Sequence, residues 1–252
     1  MTDSRKNSTA KPNYREIFNH RGEAYHQAML LCPEAREKEF TIPLELLELR
    51  EDQVLCDFPS GGGYIGKFLP DHLQSVTLHP LETSEEFAAQ QQCSLASWTD
   101  IPMADASVDA FVSLAALHHT DQREEFYQEV FRLLKPGGRF VIGDVMLGTP
   151  QDAFLNGFVD QHNSMGHEGD FLDPETEAAR MQAAGFDITH NQLHEYPWNF
   201  LDQASMTQFC AGLFGLDKAT PEMISRGLTS IQKQPGSNQI DWALLFIRGH
   251  KP

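Results

Sequence analysis

Positive charge is what this sequence has in shortest supply: across 252 residues, 19 Lys and Arg stand against 36 Asp and Glu, a formal net charge of −17. Nucleic acids are bound chiefly by neutralising phosphates, so this balance, with no Lys/Arg run, excludes a basic nucleic-acid reader. Anionic membrane surfaces are disfavoured on the same ground. Long apolar runs are also missing, since stretches such as Trp242–Ile247 fall far short of the roughly 18 residues of a spanning helix. Met1–Ala10 is polar and carries no apolar segment of the secretory kind, and residues 1–13 read as a flexible tail. Cysteine is scarce: Cys32, Cys56, Cys93 and Cys210 are widely spaced with no CxxC pairing. Reduced thiols in a soluble, cytoplasmic protein are therefore expected, and structural zinc has little support.

What is present suits a buried core. Hydrophobic residues make up 40% of the chain, including 17 Phe, which excludes global disorder. From Tyr14 to about Arg50 the apolar residues Tyr14, Ile17, Phe18, Tyr25, Met29 and Leu30 recur at helical spacing, with Pro33 and Pro43 dividing the region into short helices. Val54–Asp57 reads as a strand that opens into Phe58-Pro-Ser-Gly-Gly-Gly-Tyr64. The alternation then repeats: a strand over Ser75–His79, a helix over Ser84–Gln91 and a central strand over Asp109–Ala115. A helix follows that is capped by Asp121 with Glu124, striped by Phe126, Val130, Phe131 and Leu134, and stopped by Lys135-Pro-Gly-Gly138. Arg139–Asp144 is another strand. Strands alternating with helices predict a mostly parallel sheet covered on both faces. After Asp144 the rhythm breaks into a Gly-, His- and Asp-rich insertion, Met146–Asp173, then a helix capped by Asp173-Pro174 and ended by Gly185. Phe186–Leu193 and Gln239–Ile247 read as the last strands, separated by a helical stretch over 201–231.

Three consecutive glycines after a strand permit a tight turn and close approach of backbone to a ligand. In context they point further. The chain from Val54 to Asp144 resembles the core of the class I S-adenosylmethionine-dependent methyltransferases. Val54-Leu-Cys-Asp-Phe-Pro-Ser-Gly-Gly-Gly63 is similar to the family's first motif, Asp100–Val112 to its LP-acidic-FD segment, and Leu117-His-His119 and Leu133–Val141 to the positions after the fourth strand and before the fifth. The resemblance implies an α/β, Rossmann-like, doubly wound seven-stranded sheet whose last strand is antiparallel. It also implies S-adenosylmethionine as cofactor, held by Asp57, Pro59, Ser60, Gly61, Gly63 and Leu114, with Tyr14, Phe18, Tyr25 and Met29 of the amino-terminal cap closing over its methionine end.

Three positions depart from the family pattern. Pro59 fills the first glycine position, which is tolerable where no positive φ or amide donor is needed. The acid that ends the second strand and accepts both ribose hydroxyls falls at or near His79, which accepts through only one ring nitrogen; Glu82, three residues on, is the alternative acceptor. Beside the adenine, Ser97-Trp98 stands where the family often has an acid, with Asp100 as an alternative acceptor.

Methyl transfer needs alignment and, for a protonated acceptor, a base. His118 and His119, after strand four, and Asp144, ending strand five, are the expected catalytic residues. In the insertion, His162, His167, Glu168 and Asp170 invite a metal reading, but five-residue spacing does not put the two histidines on one helix face, so no metal is expected and a substrate-covering lid is preferred. Tyr196–Phe200, read as following strand six, is a candidate acceptor wall.

The sequence thus predicts one domain over 14–252, with a helical cap (14–50), a cofactor-binding core (53–145), a lid insertion (146–185) and terminal strands and helices (186–252). Its expected activity is methyl transfer to a small-molecule acceptor, with no nucleic-acid or membrane partner and a homodimer left open. Two alternatives are a fold that has given up methyl transfer for elimination, cyclisation or hydrolysis, and a non-catalytic scaffold subunit. The surplus acid, placed on surface helices and the insertion, speaks for solubility and for repelling anionic acceptors.

Overall fold

A computed structural model describes residues 13–91 and 93–252. The expected tail lies outside the described residues except for Asn13, which is no tail residue: it caps the first helix, accepting from the Glu16 amide at 3.0 Å while Glu16 accepts from the Asn13 amide at 3.0 Å.

Seven strands form one sheet: β1 (Val54–Asp57), β2 (Thr77–Glu82), β3 (Ser94–Leu95), β4 (Val108–Leu114), β5 (Leu134–Asp144), β6 (Asp187–Asn199) and β7 (Gln239–His250). Their order is β3-β2-β1-β4-β5-β7-β6. β1 to β5 pair in parallel, whereas β7 runs antiparallel to both β5 and β6. Alternation along β1 sends Leu55 to one face and Cys56 to the other, and each face has its own apolar core. Helices α1 (Tyr14–Leu31) and α2 (Glu37–Leu47) cover one end of the sheet, and α3 (Glu85–Gln91) follows β2. Helix α4 (Arg123–Leu133) buries Phe126, Val130 and Leu133 against the second core.

Several sequence expectations shift. Pro43 lies inside α2 rather than dividing helices. β2 does not stop at His79 but runs on to Glu82. A proline at position 80 suggested a boundary, yet β3 pairs only with Leu81 and Glu82. At Pro80 the strand therefore needs a ladder partner on one side only, where a missing N–H is tolerated. Helix α4 starts at Arg123 without a side-chain cap: Gln122 stands at the cap position, its amide donating to the Thr120 hydroxyl at 3.2 Å, and Asp121 lies outside the helix. The insertion contains helix over its first half, with α5 (Pro150–Ala153), a π-helical stretch Phe154–Val159 and α6 (Asp160–His162). Thr149 caps it with Pro150 at its first turn, and Phe154, Leu155 and Val159 are buried. Helix α7 (Pro174–Ala183) carries the expected Asp173 cap. Tyr196–Asn199 belong to β6 rather than following it, and only Phe200 lies beyond. Helices α8 (Gln203–Phe214) and α9 (Pro221–Leu228) fill the last crossover.

Candidate active site

β1, β2 and β5 each end on an acid at the carboxyl edge of the sheet: Asp57, Glu82 and Asp144. Between the first two runs the glycine loop. Gly61, Gly62 and Gly63 have φ of +54°, +103° and +69°, conformations that L side chains rarely adopt, whereas Pro59 is not among the positive-φ residues. The loop thus places its left-handed turns on glycine and leaves Pro59 where proline is tolerated. The Ser60 amide donates to the Leu81 carbonyl at 2.8 Å, and the Gly61 amide donates to Glu82 Oε2 at 2.9 Å. Glu82 is fully buried, and its Oε1 accepts from the Thr83 and Ser84 amides at 2.7 and 3.1 Å. Burial raises its pKa against these donors. Asp57, also buried, is raised by burial and by the Glu82 charge, and its Oδ2 has no hydrogen-bond partner.

The acid at the end of strand two is therefore Glu82. His79 is exposed, opposite Cys56 in mid-strand, and does not reach the edge. Ser97 and Trp98 also stand away from the cavity described below. Ser97 closes a turn with Asp100, and Trp98 is a core side chain set edge-on to Tyr14, Phe58 and Phe126.

A cavity of about 700 Å³, open mouth included, joins Gly61 to the ends of β4 and β5. Leu114, Ala115, His118, His119 and Asp144 line it, with Tyr14, Phe18 and Tyr25 from α1; Met29 instead packs in the core. Gly143, beside Asp144, is required because a Cβ there would collide with Phe246 and Leu114. Ala115 takes a left-handed φ of +48° that turns the chain out of β4. That turn brings His118 onto Asp144. His118 Nδ1 lies 2.8 and 3.0 Å from the two carboxylate oxygens, and the His118 amide donates to Oδ2 at 3.1 Å. The Val145 amide donates to Oδ1 at 2.8 Å. Burial pushes the Asp144 carboxyl up, but the His118 charge and these donors outweigh it and hold it below the ordinary range. His119 is pushed well below the usual imidazole range by burial, then by His118 and His167.

Sequence reading missed part of the wall. Trp198 and Trp242 stack at 4.4 Å from β6 and β7, whereas Tyr196 and Phe200 do not line the cavity. Arg36 is spoken for by Glu39, with Nε donating to Oε2 at 3.0 Å. Arg21 is held differently: its Nη2 donates to the Leu213 carbonyl, its Nε is buried with no partner, burial lowers its pKa to about 10, and among the described residues it makes no salt bridge to a carboxylate. Its signal was present, for Arg21 sits three residues after Phe18 and four before Tyr25, within the apolar stripe of α1. His167, from the insertion, lies over the same cavity.

A sheet of this order with an antiparallel seventh strand, and acids ending β1 and β2 around a glycine loop, is the Rossmann-like α/β fold that solved methyltransferases share. Residues 57–142 match the family model described as a methyltransferase domain. That stretch is similar to the class I S-adenosylmethionine-dependent methyltransferases, whose cofactor is S-adenosylmethionine. The dimethylglycine N-methyltransferase of Parasynechococcus marenigrum is 51% identical over 51 residues, 20% of this chain and 18% of that protein. The chain's matches span less than half the length of the curated relatives. Phosphoethanolamine N-methyltransferase 2 of Haemonchus contortus, solved with S-adenosyl-L-methionine, superposes with a TM-score of 0.62 at 15% identity over 96% of this chain and 60% of that one. The [4+2]-cyclase SpnF gives 0.63 at 16% identity, covering 96% and 97%. At such identities the likeness is one of fold. Among the described residues no helix is long and apolar enough to cross a membrane.

Proposed function

We propose that this protein transfers the methyl group of S-adenosylmethionine to a small-molecule acceptor that carries an anionic group. The observation that carries the proposal is the His118–Asp144 pair, set in the same cavity as Gly61. Asp144 holds Nδ1, so Nε2 is the nitrogen that takes the acceptor's proton as the methyl group is transferred. The cofactor's groups have counterparts at the carboxyl edge. Glu82 is suited to the ribose hydroxyls, the unpartnered Asp57 Oδ2 to the ammonium of the methionine end, and Gly61 leaves room beside it. The Tyr14 hydroxyl now donates to Glu82 Oε2 at 3.4 Å, so ribose binding displaces Tyr14 and moves the start of α1.

The reading in which methyl transfer has been lost drew on the departures at Pro59, His79 and Ser97; with β2 ending on Glu82, the one at His79 no longer supports it. The anionic acceptor follows from Arg21, a cation in the cavity wall with no carboxylate partner. Surface acid sets the long-range field, whereas Arg21 brings a cation to the cavity wall.

Calorimetry with S-adenosylmethionine and its demethylated product tests the cofactor reading: saturable heat is expected, and no heat at millimolar ligand overturns it. Glu82→Gln is expected to weaken cofactor binding about ten- to hundredfold, as loss of hydrogen bonds to a charged group does. His79→Ala is expected to leave that affinity unchanged. Arg21→Met is expected to raise the KM of an anionic acceptor by a similar factor of about ten or more while cofactor affinity holds, read from initial rates. Equal KM values for acidic and neutral acceptors in the parent protein would refute the anionic preference.

A further inference from the structure

We propose that His118, His119 and His167 form a binding site for a divalent transition-metal ion of the zinc type, with Asp144 as its supporting carboxylate. A metal was unexpected from the insertion alone, and His162 is bound elsewhere, its Nδ1 lying 2.8 Å from the Phe158 carbonyl. The fold supplies different partners. One ring nitrogen from each of His118, His119 and His167 lies within 4.8 Å of the others. Ring centroids are 3.9 Å apart for His118 and His119, and 5.3 Å from each of them to His167.

Tetrahedral zinc with nitrogen ligands at about 2.0–2.1 Å sets those nitrogens about 3.3 Å apart, so the rings need close by at most about 1.5 Å. The His119 and His167 side chains would supply that movement on binding.

Two further observations point to a ligand. His167 is 7% exposed, and its Nδ1 is buried with no hydrogen-bond partner. Buried polar atoms are rarely left in that state, and a metal or its bound water would satisfy it. His118, for its part, is already built as a ligand, since Nδ1 on the Asp144 carboxylate fixes the ring and leaves Nε2 as donor, the carboxylate–histidine–metal arrangement. Burial keeps His119 and His167 neutral, with His167 pushed down to about 3, so their lone pairs are available. Three imidazoles with no thiolate and no directly facing carboxylate suit zinc and its neighbours and not calcium or magnesium. Three protein ligands leave a fourth position open to the cavity, where Arg21 favours an anionic oxygen. Metal and proton compete for His118 Nε2, so loading the site withdraws the base; only this consequence rests on the methyl-transfer reading.

The full chain, stripped by a chelator, is titrated with Co²⁺ and followed by visible absorption, then with Zn²⁺ as competitor. One equivalent of Co²⁺ with the intense bands of four- or five-coordinate geometry, bleached by Zn²⁺, is expected. His167→Ala is expected to abolish the bands, Asp144→Asn to weaken binding about 10–100-fold, and His190→Ala at the sheet edge to leave it unchanged. Near-UV circular dichroism checks that each variant is folded. No bands and no Zn²⁺ uptake overturn the site, as do bands that survive in folded His167→Ala and His119→Ala. Calorimetry with S-adenosylmethionine on the same metal-free sample reports on the earlier reading separately.

Discussion

His118→Ala is expected to lower kcat on an acceptor that must lose a proton by about two to four orders of magnitude, the usual worth of a positioned acid–base group. Cofactor affinity is expected to hold, because Gly61 and Glu82 are untouched. The basis is the fixed geometry of the pair: Asp144 receives three donors, from His118 Nδ1 and from the His118 and Val145 amides. It cannot turn away without leaving a buried charge unpaired. Asp144→Asn keeps the shape but replaces a carboxylate that accepts from Nδ1 by an amide that can also donate, so a fall in kcat with little change in KM is expected there too. The comparison is made on metal-free protein by following the demethylated cofactor. A His118→Ala rate within about tenfold of the parent's, on an acceptor that ionises only on reaction, would show that proton removal does not run through this residue.

Glu177→Ala is expected to destabilise the fold by about 3–5 kcal/mol, the range for breaking a buried ion pair by removing one partner. Glu177, on α7, is fully buried and accepts from Arg123 Nη1 at 2.9 Å, Arg180 Nη1 at 3.0 Å and the Tyr127 hydroxyl. Removing it leaves Arg123, 3% exposed, without its buried carboxylate partner. Arg123 also donates to the Leu117 carbonyl at 3.2 Å and to the Asp170 carbonyl, and the Asp170 amide donates to the His118 carbonyl at 3.0 Å. Damage should therefore reach the turn that carries His118. Urea unfolding measures the loss. The double variant Arg123→Met/Glu177→Met is expected to recover part of it, because neither charge is then stranded. A loss below about 1 kcal/mol for Glu177→Ala would mean that Arg123 finds solvent or another partner at little cost.

How much of this was legible in the sequence follows from how local each signal is. β1, β4 and the Asp173 cap rest on apolar periodicity and on a capping residue within a turn of its helix, and they stand close to where the sequence put them. Asp121 is not the cap because α4 starts later, at Arg123, with Gln122 at the cap position. Tyr196–Asn199 sit inside β6 because β7 extends far enough to pair with them, from Tyr196 opposite Trp242 to Asn199 opposite Gln239. That is a property of the partner strand.

The sequence by itself determined the strand-helix alternation, the glycine loop, and the placement of His118 and Asp144 at the ends of neighbouring strands. Each of these is written in consecutive residues. Only the tertiary structure decided that Glu82 rather than His79 ends strand two, since that depended on where β3 begins to pair. Only it showed Arg21 facing the cavity without a carboxylate, and His167 brought from the insertion onto His118 and His119. A charge or a lone pair acquires its chemistry from what surrounds it, and those surroundings are assembled from segments distant in the chain.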